Sequence, residues 1–210
     1  LEVGNIEYAF HSALFYCKHL LFSGTSLQTV RSAYKSILPT VKENKQSYHF
    51  TFIQLWHQFL LNLREPTVAP TKLKETKNVT IQFSFHLVKM KLAFMFSEHK
   101  GALNHFQQAE PLMNAALSLY NFTEFSFYAA LVLVEQARIN STEKDALLIK
   151  INELQKQLSL WAQHAPENHH HKVKLVAAEL AALNNESHAW HLYQQAIDFA
   201  TNNGFIEHQA

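Results

Sequence analysis

Glycine and proline are scarce in this 210-residue chain, with 4 and 5 occurrences. Sandwiches and doubly wound sheets need frequent glycine at their turns, so the shortage argues against both fold classes. Residues of high helix propensity such as leucine, alanine, lysine, glutamine and glutamate are abundant instead. The composition therefore predicts an all-α protein, and a chain of this length can bury a substantial core.

Net charge and cysteine are also scarce. The formal charge is +1 with histidine neutral, which gives no electrostatic reason to expect nucleic-acid or anionic-membrane binding. Cys17 lies on a predicted apolar helix face and cannot form an internal disulfide, so we expect a reducing, cytoplasmic compartment. The longest purely apolar run, Ala129 to Val134, is far short of a membrane span, and no membrane insertion is expected. Because the chain begins with Leu1, we expect a piece of a longer protein.

Motifs that carry catalysis are missing from the sequence. The stretch 23–26 (SGTS) lacks the lysine and the second glycine of a phosphate-binding loop. No His-Glu-x-x-His motif, cysteine pair or kinase catalytic loop occurs. A Cys17 dyad with His11 or His19 is a poor candidate because buried thiols are usually inert. We therefore expect no enzymatic activity in this segment and no cofactor.

Histidine, by contrast, occurs 14 times. His169, His170 and His171 point about 100° apart on a helix, so they cannot converge on one ion. His188 and His191, at i and i+3, could share an ion but would need further ligands. Solvated histidines are the simpler interpretation, so no metal site is assigned, although a metal protein stays an alternative.

Two helices joined by a short turn are predicted from His171 to Phe205. The first carries apolar residues at three- and four-residue spacing, and the second carries a matching stripe. Asn184-Asn185 forms the turn between them, and Asn203-Gly204 is a helix stop signal.

A small-and-aromatic pattern occurs in this hairpin and once more upstream. Ala102-x3-Phe106-x2-Ala109 and Ala189-x3-Tyr193-x2-Ala196 share one spacing, which is typical of tetratricopeptide repeats. The two copies lie 87 residues apart, which is no multiple of the usual repeat of about 34, so the array would be irregular. Two unrelated amphipathic helices are the alternative. The residues assigned to repeat packing are Ala102, Phe106, Ala109, Ala177, Ala189, Tyr193 and Ala196.

Apolar periodicity and turn signals predict about nine helices in succession. Short turns make consecutive helices antiparallel, and we expect a right-handed α-α superhelix of irregular tetratricopeptide-like repeats. Residues 1–210 would form one array, with possible sub-units 1–63 and 78–210 around a polar linker, 64–77. The more specific expectations are a Thr25/Gln28 capping box, a bend or early end at Pro39, a helix from Ala102 to Tyr120 kinked at Pro111, a helix from Thr123 to Ile139, a cap at 140–143 and a helix start at Pro166.

Several segments carry a resemblance to one family: 4–9 (GNIEYA), 21–27 (LFSGTSL), 161–172 (Trp-x4-Pro-Glu-Asn-x2-His-Lys), 178–181 (AELA) and 193–205. They resemble the helical-repeat region that follows the AAA-type, STAND-like ATPase module in large multidomain signalling proteins with serine/threonine kinase or sensor histidine kinase modules. That resemblance implies a non-catalytic scaffold linking such modules, with a protein segment or neighbouring domains as partners. A small-molecule sensor with an aromatic pocket between helices is the alternative function.

Overall fold

A computed structural model describes residues 5–64, 76–117, 119–205 and 208. Within these residues the chain is helical and contains no strand, which confirms the all-α prediction. The elements are α1 (Ile6–Phe22), α2 (Leu27–Glu43), α3 (Ser47–Arg64), α4 (Val79–Met95), α5 (His99–Ala109), a 3₁₀ helix (Glu110–Ala116), α6 (Tyr120–Ile139), α7 (Lys144–His164), α8 (Pro166–Leu183) and α9 (Ala189–Asn202).

The start of α2 differs from the predicted capping box. Ser26, not Thr25, is the N-cap, and its Oγ accepts a hydrogen bond from the Thr29 amide at 3.3 Å. Pro39 does not shorten α2, which continues to Glu43. Proline within a helix removes one backbone hydrogen bond. The buried side chains on both sides of Pro39 supply packing that offsets this loss: Val30, Tyr34 and Val41.

Pro111 ends an α-helix instead of kinking it. The predicted helix from Ala102 to Tyr120 is divided into α5, the 3₁₀ helix and the first residue of α6. Proline cannot donate the backbone hydrogen bond that would continue the α-helix, and the tighter 3₁₀ turn follows from Glu110. The predicted cap at 140–143 is also wrong in detail, because α7 begins after Glu143 without a capping side chain.

The predicted hairpin near the C-terminus is confirmed by α8 and α9. Pro166 is the first residue of α8, where its missing N–H removes no helical bond. Asn185 in the turn has φ 57, and Gly204 after α9 has φ 78. Both positions use the left-handed conformation that ends helices.

The chain divides into two compact units, Leu1–Ile81 and Gln82–Ala210. In the N-terminal unit, α1, α2 and α3 pack on one another. Most of the proposed linker lies outside the described residues, so the single array and its right-handed superhelix stay predictions. The core of the N-terminal unit includes Leu14, Cys17, Val30, Tyr34, Ile53 and Trp56.

In the C-terminal unit, consecutive helices from α5 to α9 are neighbours, and α6 additionally packs on α8. The α4 helix reaches α6 through Phe83, whose ring centre lies 5.4 Å from that of Phe125. Helix α6 is therefore central, and 14 of its 20 residues are buried. Within the described ranges, no helix is long and apolar enough to cross a bilayer.

Candidate functional site: a buried charge cluster

Three charged side chains meet in the interior of the C-terminal unit. Lys91 comes from α4, Glu124 from α6 and Lys172 from α8, and their exposed fractions are 5%, 1% and 0%. Charged residues are almost never this buried unless they are paired. We call these three residues, with the neighbouring Tyr120, the Glu124 cluster.

Each oxygen of the Glu124 carboxylate accepts a hydrogen bond from a different lysine. Lys172 Nζ donates to Oε1 at 2.5 Å and also to the Tyr120 hydroxyl at 2.9 Å. Lys91 Nζ donates to Oε2. The lysine ammonium groups also lie over aromatic rings, since Lys91 Nζ is 4.7 Å from the centre of the Tyr128 ring. One carboxylate thus connects three helices that are not consecutive in sequence.

The cluster keeps Glu124 and Lys172 ionised. Burial alone raises the pKa of Glu124, but Lys172 and Lys91 more than reverse this and hold the pKa well below its usual value. For Lys172, burial lowers the pKa, whereas the nearby Glu124 and Tyr120 raise it above the ordinary lysine value. Each partner therefore stabilises the charged form of the other.

A pair of histidines lies beside the cluster. His171 Nε2 and His208 Nδ1 are 3.0 Å apart, and the His171 ring stacks on Phe205 with 4.5 Å between ring centres. The His208 ring meets Phe127 of α6 edge to face at 5.3 Å. Burial, and next the charge of Lys172, lower the pKa of His171 to about 3. His208, which follows α9, therefore contacts α8 through His171 and α6 through Phe127.

These groups are poorly suited to catalysis. A general acid or base works best with a pKa near the operating pH, and a lysine nucleophile must lose its proton. Glu124 and Lys172 have pKa values shifted away from neutrality, and their polar atoms are engaged with each other. The arrangement can fix the relative positions of α4, α6 and α8.

The residues predicted for repeat packing fall into two groups. On α5, Ala102, Phe106 and Ala109 are buried, and the Phe106 ring stacks on Phe125 of α6 at 5.9 Å. In the α8–α9 hairpin, Ala196 is buried, while the remaining three residues are half-buried: Ala177, Ala189 and Tyr193. Burial, and next the proximity of Glu179 of α8, raise the pKa of the Tyr193 hydroxyl. Each group lies at a helix–helix contact.

The three consecutive histidines diverge, as their helical spacing predicts. The rings of His169, His170 and His171 face Tyr120, Phe199 and Phe205 respectively, at centre distances of 6.3, 4.4 and 4.5 Å.

The other candidate pair does not converge either. His188 lies 3.4 Å from Glu186, and His191 is hydrogen-bonded to Gln195. Over the described part of the chain, no group of three or more His, Cys, Asp or Glu side chains is arranged to hold a metal.

The Glu124 cluster was not predicted from the sequence, although a signal for it exists. Glu124 lies between the aromatic residues Phe122 and Phe125 of α6, and Lys91 lies at a core-facing position of an apolar helix. A charged residue at a core-facing position of a helix indicates a buried partner. No known protein family matches the sequence, and no curated protein or solved structure is significantly similar to it.

Proposed function

We propose that this chain is a non-catalytic helical-repeat scaffold that binds a protein segment or a neighbouring domain and relays conformational change within a larger signalling protein. The observation that carries the proposal is the Glu124 cluster, in which one buried carboxylate joins α4, α6 and α8. A relay needs helices that shift together, because coupling between distant sites requires contiguous contacts with discrete arrangements.

The order of the helices supports a repeat scaffold. In the C-terminal unit α6 packs on both α7 and α8, and α8 packs on α9. A contact between alternate helices, added to the contacts between consecutive ones, is what a two-layer stack of hairpins produces. The α4, α6 and α8 helices would form one layer of this stack, and α5, α7 and α9 the other.

The repeat pattern is consistent with this assignment. Both copies of the Ala-x3-aromatic-x2-Ala pattern lie on helices of the same proposed layer, α5 and α9. On α5 the pattern faces α6, where Phe106 stacks on Phe125. The first copy therefore faces α6, the helix that follows α5, and the second lies on α9, which packs on α8, the helix that precedes it.

The chain leaving α9 supplies a route for a relay. His208 contacts His171 of α8 and Phe127 of α6, next to the lysine and carboxylate groups of the cluster. A force or a bound partner that displaced His208 would separate it from His171 and from the buried charges of the cluster. We propose that movement of His208 changes the positions of α6 and α8 through this contact.

Deletion in the protein that contains these residues would test the proposal. Replacing residues 1–210 by a flexible Gly/Ser linker should leave the output activity intact but uncouple it from its input signal. The purified 210-residue chain should show no ATPase, kinase or cyclase activity of its own. Unchanged regulation after the replacement would overturn the proposal.

A small-molecule sensor stays the alternative function. The aromatic side chains that would line its predicted pocket are used in the core instead. Phe83 and Phe106, for example, both pack on Phe125. A thermal-shift screen of the purified chain against metabolites separates the two functions, since a saturable shift would favour the sensor.

A further inference from the structure

Several buried polar atoms on the facing sides of α2 and α3 have no hydrogen-bond partner among the described residues. They include Arg31 Nε, the Tyr34 hydroxyl and His57 Nε2. Leaving a buried polar group unpaired is destabilising, so buried groups of this kind normally have a partner. Their proximity on two packed helices indicates a shared ligand.

The contacts place these groups together. Arg31, Tyr34 and Lys35 are separated by three and four residues on α2, and therefore lie on one side of that helix. The Tyr34 ring is stacked on the His57 ring of α3, with centres 5.9 Å apart and an interplanar angle of 29°. Both Arg31 and Lys35 are near enough to His57 for their charges to lower its pKa, in addition to the larger effect of burial. Two cations thus lie near an imidazole that stacks on a buried tyrosine.

The surrounding charge favours an anion. From residue 5 to residue 64 the sequence has six lysine and arginine residues but only two acidic residues, Glu7 and Glu43. Over the described residues, neither Arg31 nor Lys35 forms an ion pair. A cationic group that is partly buried without a counter-charge is stabilised by binding an anion from outside.

The chemical types match one class of ligand. A guanidinium presents planar donors that fit two oxygens of a phosphate or carboxylate, and an ammonium adds charge with flexible reach. A protonated imidazole adds a further donor. Lys35 is exposed and Arg31 is half-buried, so a ligand in solution can reach the group.

We propose that Arg31, Lys35 and His57 form a binding site for an oxyanion group, a phosphate or a carboxylate, between α2 and α3, with Tyr34 as its buried wall. When the anion binds, its negative charge offsets the repulsion between His57 and the two cations. Anion binding is therefore coupled to protonation of His57. The site belongs to the N-terminal unit and does not depend on the scaffold function proposed above.

NMR titration of the histidine rings in the 210-residue chain tests this site. The apparent pKa of His57 is measured in sodium phosphate, in sodium succinate and in sodium chloride of equal ionic strength. We expect the pKa of His57 to rise by about half a unit or more in phosphate, in succinate or in both. A rise in phosphate alone identifies a phosphate group as the ligand, and a rise in succinate identifies a carboxylate.

Matched variants identify the residues responsible. Lys35→Met removes an exposed side chain without disturbing the core and should reduce the anion-dependent shift, and Arg31→Met should abolish it. Lys42→Met removes the same charge from an exposed position of the same helix and should leave the shift unchanged. Equal pKa values of His57 in all three salts would contradict the proposed site. So would a Lys42 variant that loses the shift as fully as the Arg31 variant does.

Discussion

The Lys172 ammonium of α8 and the Glu124 carboxylate of α6 form an ion pair whose side chains are 0% and 2% exposed. Lys91 of α4 occupies the other oxygen of the same carboxylate. Desolvating such charges is expensive, and the geometry must supply good hydrogen bonds to offset the cost. Both ion pairs can form only when the three helices hold one relative position. The cluster therefore selects one arrangement of α4, α6 and α8.

Glu124→Gln should destabilise the protein strongly. The substitution removes the carboxylate charge and leaves two buried lysines without it, and breaking a buried pair in this way costs about 3–5 kcal/mol. The free energy of unfolding from urea titration measures the loss. Glu135→Gln is the control on the same helix, because Glu135 pairs with the partly exposed Arg138 and should cost about 0–1 kcal/mol. Similar losses in the two variants would contradict the assigned role.

Acid should weaken the C-terminal unit through the buried His171. Burial and Lys172 lower the pKa of His171 to about 3, whereas the unfolded chain has the ordinary value of 6.5. The unfolded state therefore takes up the proton first, so stability is complete above pH 6.5 and is lost as the pH falls below it. From pH 7 to pH 5 we expect His171 to account for a loss of about 1–2 kcal/mol.

The variant His171→Asn separates this effect from other titrating groups. Urea midpoints between pH 5 and pH 7.5 should depend less on pH in this variant than in the unmodified chain. The matched control in the same assay replaces the exposed His188 by Gln. If the pH dependence of the urea midpoint is the same in the His171 variant and in the unmodified chain, His171 does not cause the loss of stability in acid.

The chain offers two glycines for a matched comparison. Gly204 has φ 78, and a side chain there meets no atom within 4 Å, so Gly204→Ala should cost about 1 kcal/mol from backbone strain alone. Gly101 lies in α5, and an added Cβ would meet the Ala93 Cβ at 3.5 Å, an ordinary contact. Gly101→Ala should therefore stabilise the protein by about 0.5–1 kcal/mol. Thermal unfolding of both variants checks the opposite signs.

Cys17 should be unreactive while the protein is folded. It is 0% exposed, and burial raises the pKa of its thiol to about 11. The thiolate is the reactive form, so both accessibility and ionisation suppress attack. Ellman's reagent at pH 8 should label native protein at least about 100-fold more slowly than protein in guanidinium chloride. Labelling of the native chain at the denatured rate would contradict the burial of this side chain.

Apolar periodicity predicts where the helices lie, but not how each proline affects the helix that contains it. The helix predicted from Thr123 to Ile139 is observed as α6, at Tyr120–Ile139. Pro39 and Pro111 carry the same local signal, yet α2 continues past the first and α5 ends before the second. The local pattern around a proline therefore does not predict whether the helix continues through it.

The sequence pattern does not predict the Glu124 cluster, for a related reason. Its lysines are separated from Glu124 by 33 and 48 residues. Helical spacing indicates which residues share a face, but not which helices face each other. The pairing becomes evident only when α4 and α8 are both known to lie against α6.

A double-mutant cycle between Lys91 and Lys172 tests most directly whether α4 and α8 are coupled through Glu124. The free energy of unfolding is measured for Lys91→Met, for Lys172→Met and for the double variant, with Lys91→Met plus Arg138→Met as the control cycle. Because the double variant leaves the buried carboxylate without either lysine, we expect it to lose at least about 1 kcal/mol more than the sum of the single variants. The control cycle should be additive within about 0.5 kcal/mol. Additive losses for Lys91 and Lys172 would contradict a coupled cluster and the relay built on it.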